Sequence, residues 1–205
     1  EDLETCAIHL YEESPDYYIS WAAMRSPKSD TEIVQTQIRF PKRGVKIIEE
    51  MMECYHSIKK DYVLVNEGQK LKDFLNMLKE VSPDAHKVVV NTFKKMKPKD
   101  VRAFWSLSDF KGGSLVLSTL AQPDEATRAL LRRFANVFSL AYQRFIDLKK
   151  AEAQAREAEI QLALERIRAR TMAMHKSEEL SEVAALLFKQ LKMLGAELWT
   201  AGFAI

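Results

Sequence analysis

The stretch Glu32–Phe40, EIVQTQIRF, decides the fold class. Val34, Thr36, Ile38 and Phe40 fall on one side of it, and Gln35, Gln37 and Arg39 on the other. Successive side chains of an extended chain point to opposite faces, so this alternation predicts a half-buried antiparallel strand. Upstream, TCAIHLY (5–11) places Cys6, Ile8 and Leu10 on one face of a first strand. YYISWAAM (17–24) follows the turn signal Ser14-Pro15-Asp16 and is expected as the second. Downstream the period changes. Ile47, Met51, Cys54 and Ile58 recur at helical spacing. DYVLV (61–65) reads as a short strand ended by Glu67-Gly68. QKLKDFLNMLKEV (69–81) is a second amphipathic helix on Leu71, Phe74, Leu75 and Leu78. Ser82-Pro83-Asp84 opens a third, HKVVVNTFKKM (86–96), which Pro98 closes. VRAFWSLSDFKGGSLVLSTL (101–120) reads as a hairpin turning at Lys111-Gly112-Gly113, because Gly accepts the positive φ of such turns. Roughly six strands, with helices between the third and the fifth, predict an α+β domain built on one antiparallel sheet.

The remainder is helical. No Gly or Pro occurs from Asp124 to Leu194. Gln122-Pro123-Asp124-Glu125 is a helix start, since Pro suits a first turn and acids complement the helix dipole. Phe134, Phe138, Ala141, Phe145 and Leu148 alternate spacings of four and three, a heptad seam. The seam weakens into Ala151, Ala155, Ala158 and Leu162. It resumes at Ile160, Leu164, Ile167, Thr171 and Met174 on a shifted phase, like a stutter. A helix running to about Lys176 would be ~75–80 Å long at 1.5 Å per residue. One small domain cannot cover such a stripe, and an isolated helix gains little from propensity. A parallel homodimer through the long helix is therefore expected. Ser177 then caps a helix with Leu180, Val183, Ala184, Leu187, Leu191 and Leu194 on one face. Gly195 ends it, and ELWTAGFAI (197–205) begins a strand. Leu187, Leu191, Leu194, Trp199 and Phe203 are expected to pack against the partner chain, the first domain or a neighbouring molecule.

Apolar residues at 47% and charged residues at 29% give an ordinary globular balance, so a folded core is expected rather than disorder. A net charge of +2 provides no strong field to recruit nucleic acid or an anionic membrane. Cys6 and Cys54 form neither a metal-type nor a redox pair, which fits a reducing cytoplasmic setting. No apolar run approaches the roughly 20 residues of a membrane helix. Glu1 opens the chain without Met, and the chain stops in an unpartnered strand, so a fragment without a signal peptide is expected.

FKGGSLVLST (110–119), LLRRFANVFSLAYQRFIDLKKAEAQAREAEI (130–160), LALERIRARTMAM (162–174) and SEELSEVAALLFKQLKMLG (177–195) closely resemble a run in bacterial multidomain signalling proteins. Many of those are GAF-containing sensor histidine kinases of two-component systems. The resemblance spans about Phe110 to Ile205. Residues 1–109 share only the strand-and-helix order of GAF and PAS sensor domains. It implies a GAF-like sensor domain over 1–122, a long signalling helix or coiled coil over 123–176, and the truncated start of a second GAF-like domain over 177–205. A kinase or other output module would lie further downstream.

No catalytic constellation is visible, and no nucleophile, base and orienting partner share a recognisable spacing. His175 would invite a phospho-acceptor reading, but Lys176 and Ser177 stand where such sites carry an acidic residue. A solvated helix-end histidine is the better reading. Bilin-binding GAF domains follow their Cys directly with His, whereas Tyr55 separates Cys54 from His56, so Cys54 reads as a buried structural thiol. The Asn-Lys-Phe-Asp-Glu set of cyclic-nucleotide-binding GAF domains is not traceable. His9, His56 and His86 dictate no metal or haem site, although one of them could line a pocket. Trp21, Tyr17, Tyr18, Phe104 and Trp105 are candidates to line a small-molecule cavity. Arg166, Arg168 and Arg170 read as a solvated coiled-coil face, because residues 124–176 interleave eleven basic with seven acidic side chains. The expectation is a non-catalytic sensory and dimerisation segment with no metal, cofactor or nucleic-acid partner, and with room for an unknown small-molecule ligand. The runner-up is a structural dimerisation module that binds no ligand.

Overall fold

The computed structural model describes residues 3–26, 32–57, 60–94 and 101–197. The chain divides into two compact units, Glu1–Tyr142 and Gln143–Ile205. The first is α+β, as its periodicities predict. Its strands are β1 (Leu3–Leu10), β2 (Tyr17–Arg25), β3 (Ile33–Pro41), β4 (Asp61–Glu67), β5 (Arg102–Phe110) and β6 (Gly113–Thr119). They form one sheet in the order β3-β2-β1-β6-β5-β4, antiparallel at every junction. The chain starts at the centre, builds out to β3, crosses to the far edge at β4, and returns through the β5–β6 hairpin to close beside β1.

Helices α1 (Lys46–Tyr55), α2 (Gly68–Val81) and α3 (Pro83–Phe93) make that crossing and the return. Gly68 adopts a φ of 58°, which lets β4 run into α2 without a loop. The three helices cover one sheet face. Ile47, Ile48 and Met51 of α1 are fully buried there, with Leu71 and Leu78 of α2 and Ala85 of α3. Cys54 packs half-buried at the margin of this core, short of the full burial expected for it. Ile58 and Pro98 lie outside the described residues.

The opposite face is covered in part by the start of helix α4 (Glu125–Met172). Asp124 caps this helix, its Oδ1 accepting the Thr127 amide at 2.7 Å. Phe110 and Leu115 pack against Leu131 and Ala135, with Phe138 and Tyr142 at the border. Phe138 is thus spent on its own sheet, its ring 4.9 Å from that of Phe110. It does not belong to the same face as Phe134, which is 61% exposed. The hairpin turns at Gly112, with φ of 95°. A Cβ at Gly113 would collide with the His9 carbonyl, so that position admits only glycine without a backbone shift.

In the second unit α4 ends at Met172, a turn earlier than expected. A single 3-10 turn (Ser177–Glu179) leads into α5 (Leu180–Met193), which runs back along α4. Arg156 donates to the Leu194 carbonyl, Arg166 to Gln190 at 3.4 Å, and Arg170 to Glu179 and Glu182. Ala163 and Val183 are buried. The half-buried positions of α4 here are Ile160, Ile167 and Arg170, whereas Leu164 and Thr171 are exposed. The phase shift predicted as a stutter is therefore a change of partner, because the second stripe turns toward α5 of the same chain. Leu187, Leu191 and Leu194 are half-buried within this unit. Gly195, with φ of 84°, terminates α5. Trp199, Phe203 and the expected terminal strand lie outside the described residues.

Candidate functional site

The sheet and the helices above it do not close completely. Between the sheet, all six strands of which contribute, and helices α2 and α3 lies a cavity of about 100 Å³. Its walls are apolar and aromatic, with Tyr18 and Phe40 on the sheet, Phe74 and Leu78 on α2, Val89 on α3 and Trp105 on β5. Phe74 stands edge-on to Trp105 at 4.9 Å and stacks with Phe40 at 6.1 Å. Among the described residues no Asp, Glu, Lys or Arg lines it.

Five polar side chains on the sheet interrupt this lining: Thr5, His9, Ser20, Asn66 and Ser118. Two of them break the rule that buried polar groups are paired. Asn66 is 0% exposed, yet neither Oδ1 nor Nδ2 has a hydrogen-bond partner. His9 is 6% exposed, and its Nδ1 is likewise unpartnered. Burial pushes the His9 imidazole down to about 3, so the ring is neutral. A buried, unsatisfied donor or acceptor costs about 1–3 kcal/mol. A fold that leaves two atoms of one amide in that state has placed it for something other than packing.

A second polar cluster lies nearer the hairpin. Tyr11 donates to Ser114 at 3.0 Å, Ser114 donates to Asp109, and Tyr62 donates to the same Asp109 oxygen at 3.3 Å. The other carboxylate oxygen is buried without a partner. Burial raises the Asp109 pKa, opposed by the hydrogen bonds from Ser114 and Tyr62.

Of the five aromatics predicted as cavity lining, Tyr18 and Trp105 line it, and Tyr17, Trp21 and Phe104 do not. Trp21 is 51% exposed on the other face of the sheet. Of the histidines, only His9 reaches the cavity; His56 and His175 are exposed and His86 is half-buried. Arg168 pairs with Glu165, and Arg170 with Glu179 and Glu182. Among the described residues no three His, Cys, Asp or Glu side chains gather as a metal site. No helix among them is long and apolar enough to cross a membrane.

The second functional surface is the uncovered side of α4. Leu130, Phe134, Val137 and Ala141 repeat at heptad spacing and are all exposed; Arg144 takes the next position, exposed Leu148 resumes the repeat, and exposed Phe145 lies beside it. Leu140, 77% exposed, flanks it. No protein-family model matches this chain, and no curated protein or solved structure shows a significant match to it.

Proposed function

We propose that the chain is the sensory and dimerisation segment of a bacterial signal-transduction protein of the sensor-histidine-kinase type. In this reading its first unit is a GAF-like sensor, and α4 carries the signal as one strand of a parallel coiled coil. One observation carries the reading. Strands β1 and β6 present Ala7, His9, Val116 and Ser118 to the cavity, while Ile8, Leu10, Leu115 and Leu117 on their other face pack toward α4. A ligand on one side of these two strands is a single sheet thickness from the helix on the other. Sheets are close-packed and transmit small displacements, so occupancy would bias how α4 presents its open stripe.

A second copy of this chain is the occupant that suits that stripe. In a parallel pair each a and d residue meets its own counterpart, so Leu130, Phe134 and Val137 would cover themselves. Residues five apart face each other across the flanks of such a pair. Leu140 and Phe145 have that separation, and both are exposed. The next flank pair, Asp147 with Glu152, is acidic on both sides, and Arg144 interrupts the seam near its centre.

Cysteine introduced singly at Val137 and at Leu148 tests the reading. Both should crosslink as symmetric dimers, and the ratio of the two yields should change when the cavity is filled by a small molecule. Crosslinking with a ratio indifferent to every cavity ligand would leave the structural dimerisation module. Absence of crosslinking at both would overturn the dimer.

A further inference from the structure

We propose that the cavity binds a neutral, single-ring compound bearing an amide-type edge, an N–H beside a C=O, and that Asn66 reads that edge with its own amide. The proposal rests on the sensory reading of the cavity and specifies its ligand class. The Asn66 side chain offers one acceptor and two donors, is fully buried, and has neither Oδ1 nor Nδ2 engaged. A second cis-amide edge, as in a primary amide, a lactam or a nucleobase-like ring, forms two parallel hydrogen bonds with such a group.

Size and charge narrow the class. The cavity of about 100 Å³ is smaller than the roughly 150 Å³ that holds benzene in an apolar protein core, so the ligand has at most one ring and a substituted ring enters only as the walls yield. The faces of Tyr18, Phe74 and Trp105 favour a flat ring. With no ionisable carboxylate, ammonium or guanidinium among the described residues of the wall, a charged ligand would be desolvated without compensation.

Three near-isosteric probes separate the possibilities: benzamide, benzoate and isopropylbenzene, titrated into the 205-residue chain. The readouts are the Asn66 side-chain amide signals in nitrogen-correlated NMR spectra and the melting temperature. Benzamide should move the Asn66 signals and bind at least about tenfold more tightly than isopropylbenzene, and benzoate should not bind. In Asn66→Leu, benzamide should fall to the affinity of isopropylbenzene, while the unliganded protein melts about 4 °C higher or more because an unpaired amide has been removed. Equal binding of benzamide and isopropylbenzene, with the Asn66 signals unmoved, overturns the amide-edge proposal and leaves the sensory cavity intact. Failure of all three probes overturns the amide-edge proposal, while the sensory reading stands or falls on the crosslinking ratio. A lower melting temperature for Asn66→Leu would make Asn66 a structural residue, against the proposal. The wild-type spectra carry the test should that variant fail to fold.

Discussion

The first unit breaks the inside–outside rule twice, in opposite senses. Beneath α2 and α3, Asn66 and His9 are buried polar groups without partners. On α4, Leu130, Phe134, Val137 and Leu140 are large apolar groups without cover. Neither is a packing accident of a poor fold, because the neighbouring positions obey the rule closely. Leu107 beside the cavity side of β5 is 1% exposed, and Leu131 lies one residue from Leu130 yet is 5% exposed. On the reading proposed above, each exception answers to a different kind of partner: inside, one that is small and hydrogen-bonding; outside, one that is long, apolar and periodic.

The largest expected effect breaks the outer half of the contrast. Replacing Phe134 and Val137 together by Glu places four carboxylates in the seam of a parallel pair. The dimer dissociation constant should rise about 100-fold or more, with the helical content of the dilute chain unchanged. Sedimentation velocity over a concentration series reads this directly. An unchanged mass distribution would mean that the stripe is not covered by a second copy.

A smaller effect sharpens the boundary between the two stripes of α4. Leu131 packs on Phe110 and Leu115, whereas Phe134 touches no such cluster. Leu131→Ala should cost the first unit about 2–4 kcal/mol in denaturant melts. Phe134→Ala, measured in the dilute regime where chains are single, should stay within about 0.5 kcal/mol. Comparable losses at both positions would show that Phe134 is held by its own domain after all.

The same two stripes mark what a sequence discloses. The alternation of β3 is legible because one of its faces meets water. The six strands, the inserted helices and the glycine turn follow from equally local signals. Parity, however, was not assigned correctly among the aromatics. Tyr18 and Trp105 face the cavity, but Tyr17 and Phe104, each one residue away, point through the other face. Period two makes a one-residue choice a choice of side. In α4 the apolar spacing is plain, yet spacing names no partner. Phe138 goes to Phe110, Phe134 stays open, and Ile160 and Ile167 serve α5. Asn66 gave no signal at all, because a polar residue after DYVLV looks like the end of a strand. Only the pairing of Asn66 with Ala103 in the sheet keeps it inside.

The smallest effect tests the inner half of the contrast through pH. His9 is held neutral by burial, with its pKa lowered from 6.5 to about 3. Between those values the unfolded chain binds a proton that the folded chain refuses. The resulting stability is therefore full above pH 6.5 and is lost as pH falls toward 3, at about 1.4 kcal/mol per pH unit. Moving from pH 7 to pH 5 should cost about 2 kcal/mol through this one group. His9→Gln keeps a polar, uncharged side chain at the cavity and removes the titration. Urea melts at both pH values, for both proteins, isolate the difference, since carboxylates elsewhere contribute equally to each. Wild type should lose about 2 kcal/mol more than the variant on acidification. Equal losses would mean that the imidazole is solvated or paired in the native state. The interior would then hold water rather than unmet hydrogen bonds, and its likeness to the bare stripe outside would vanish.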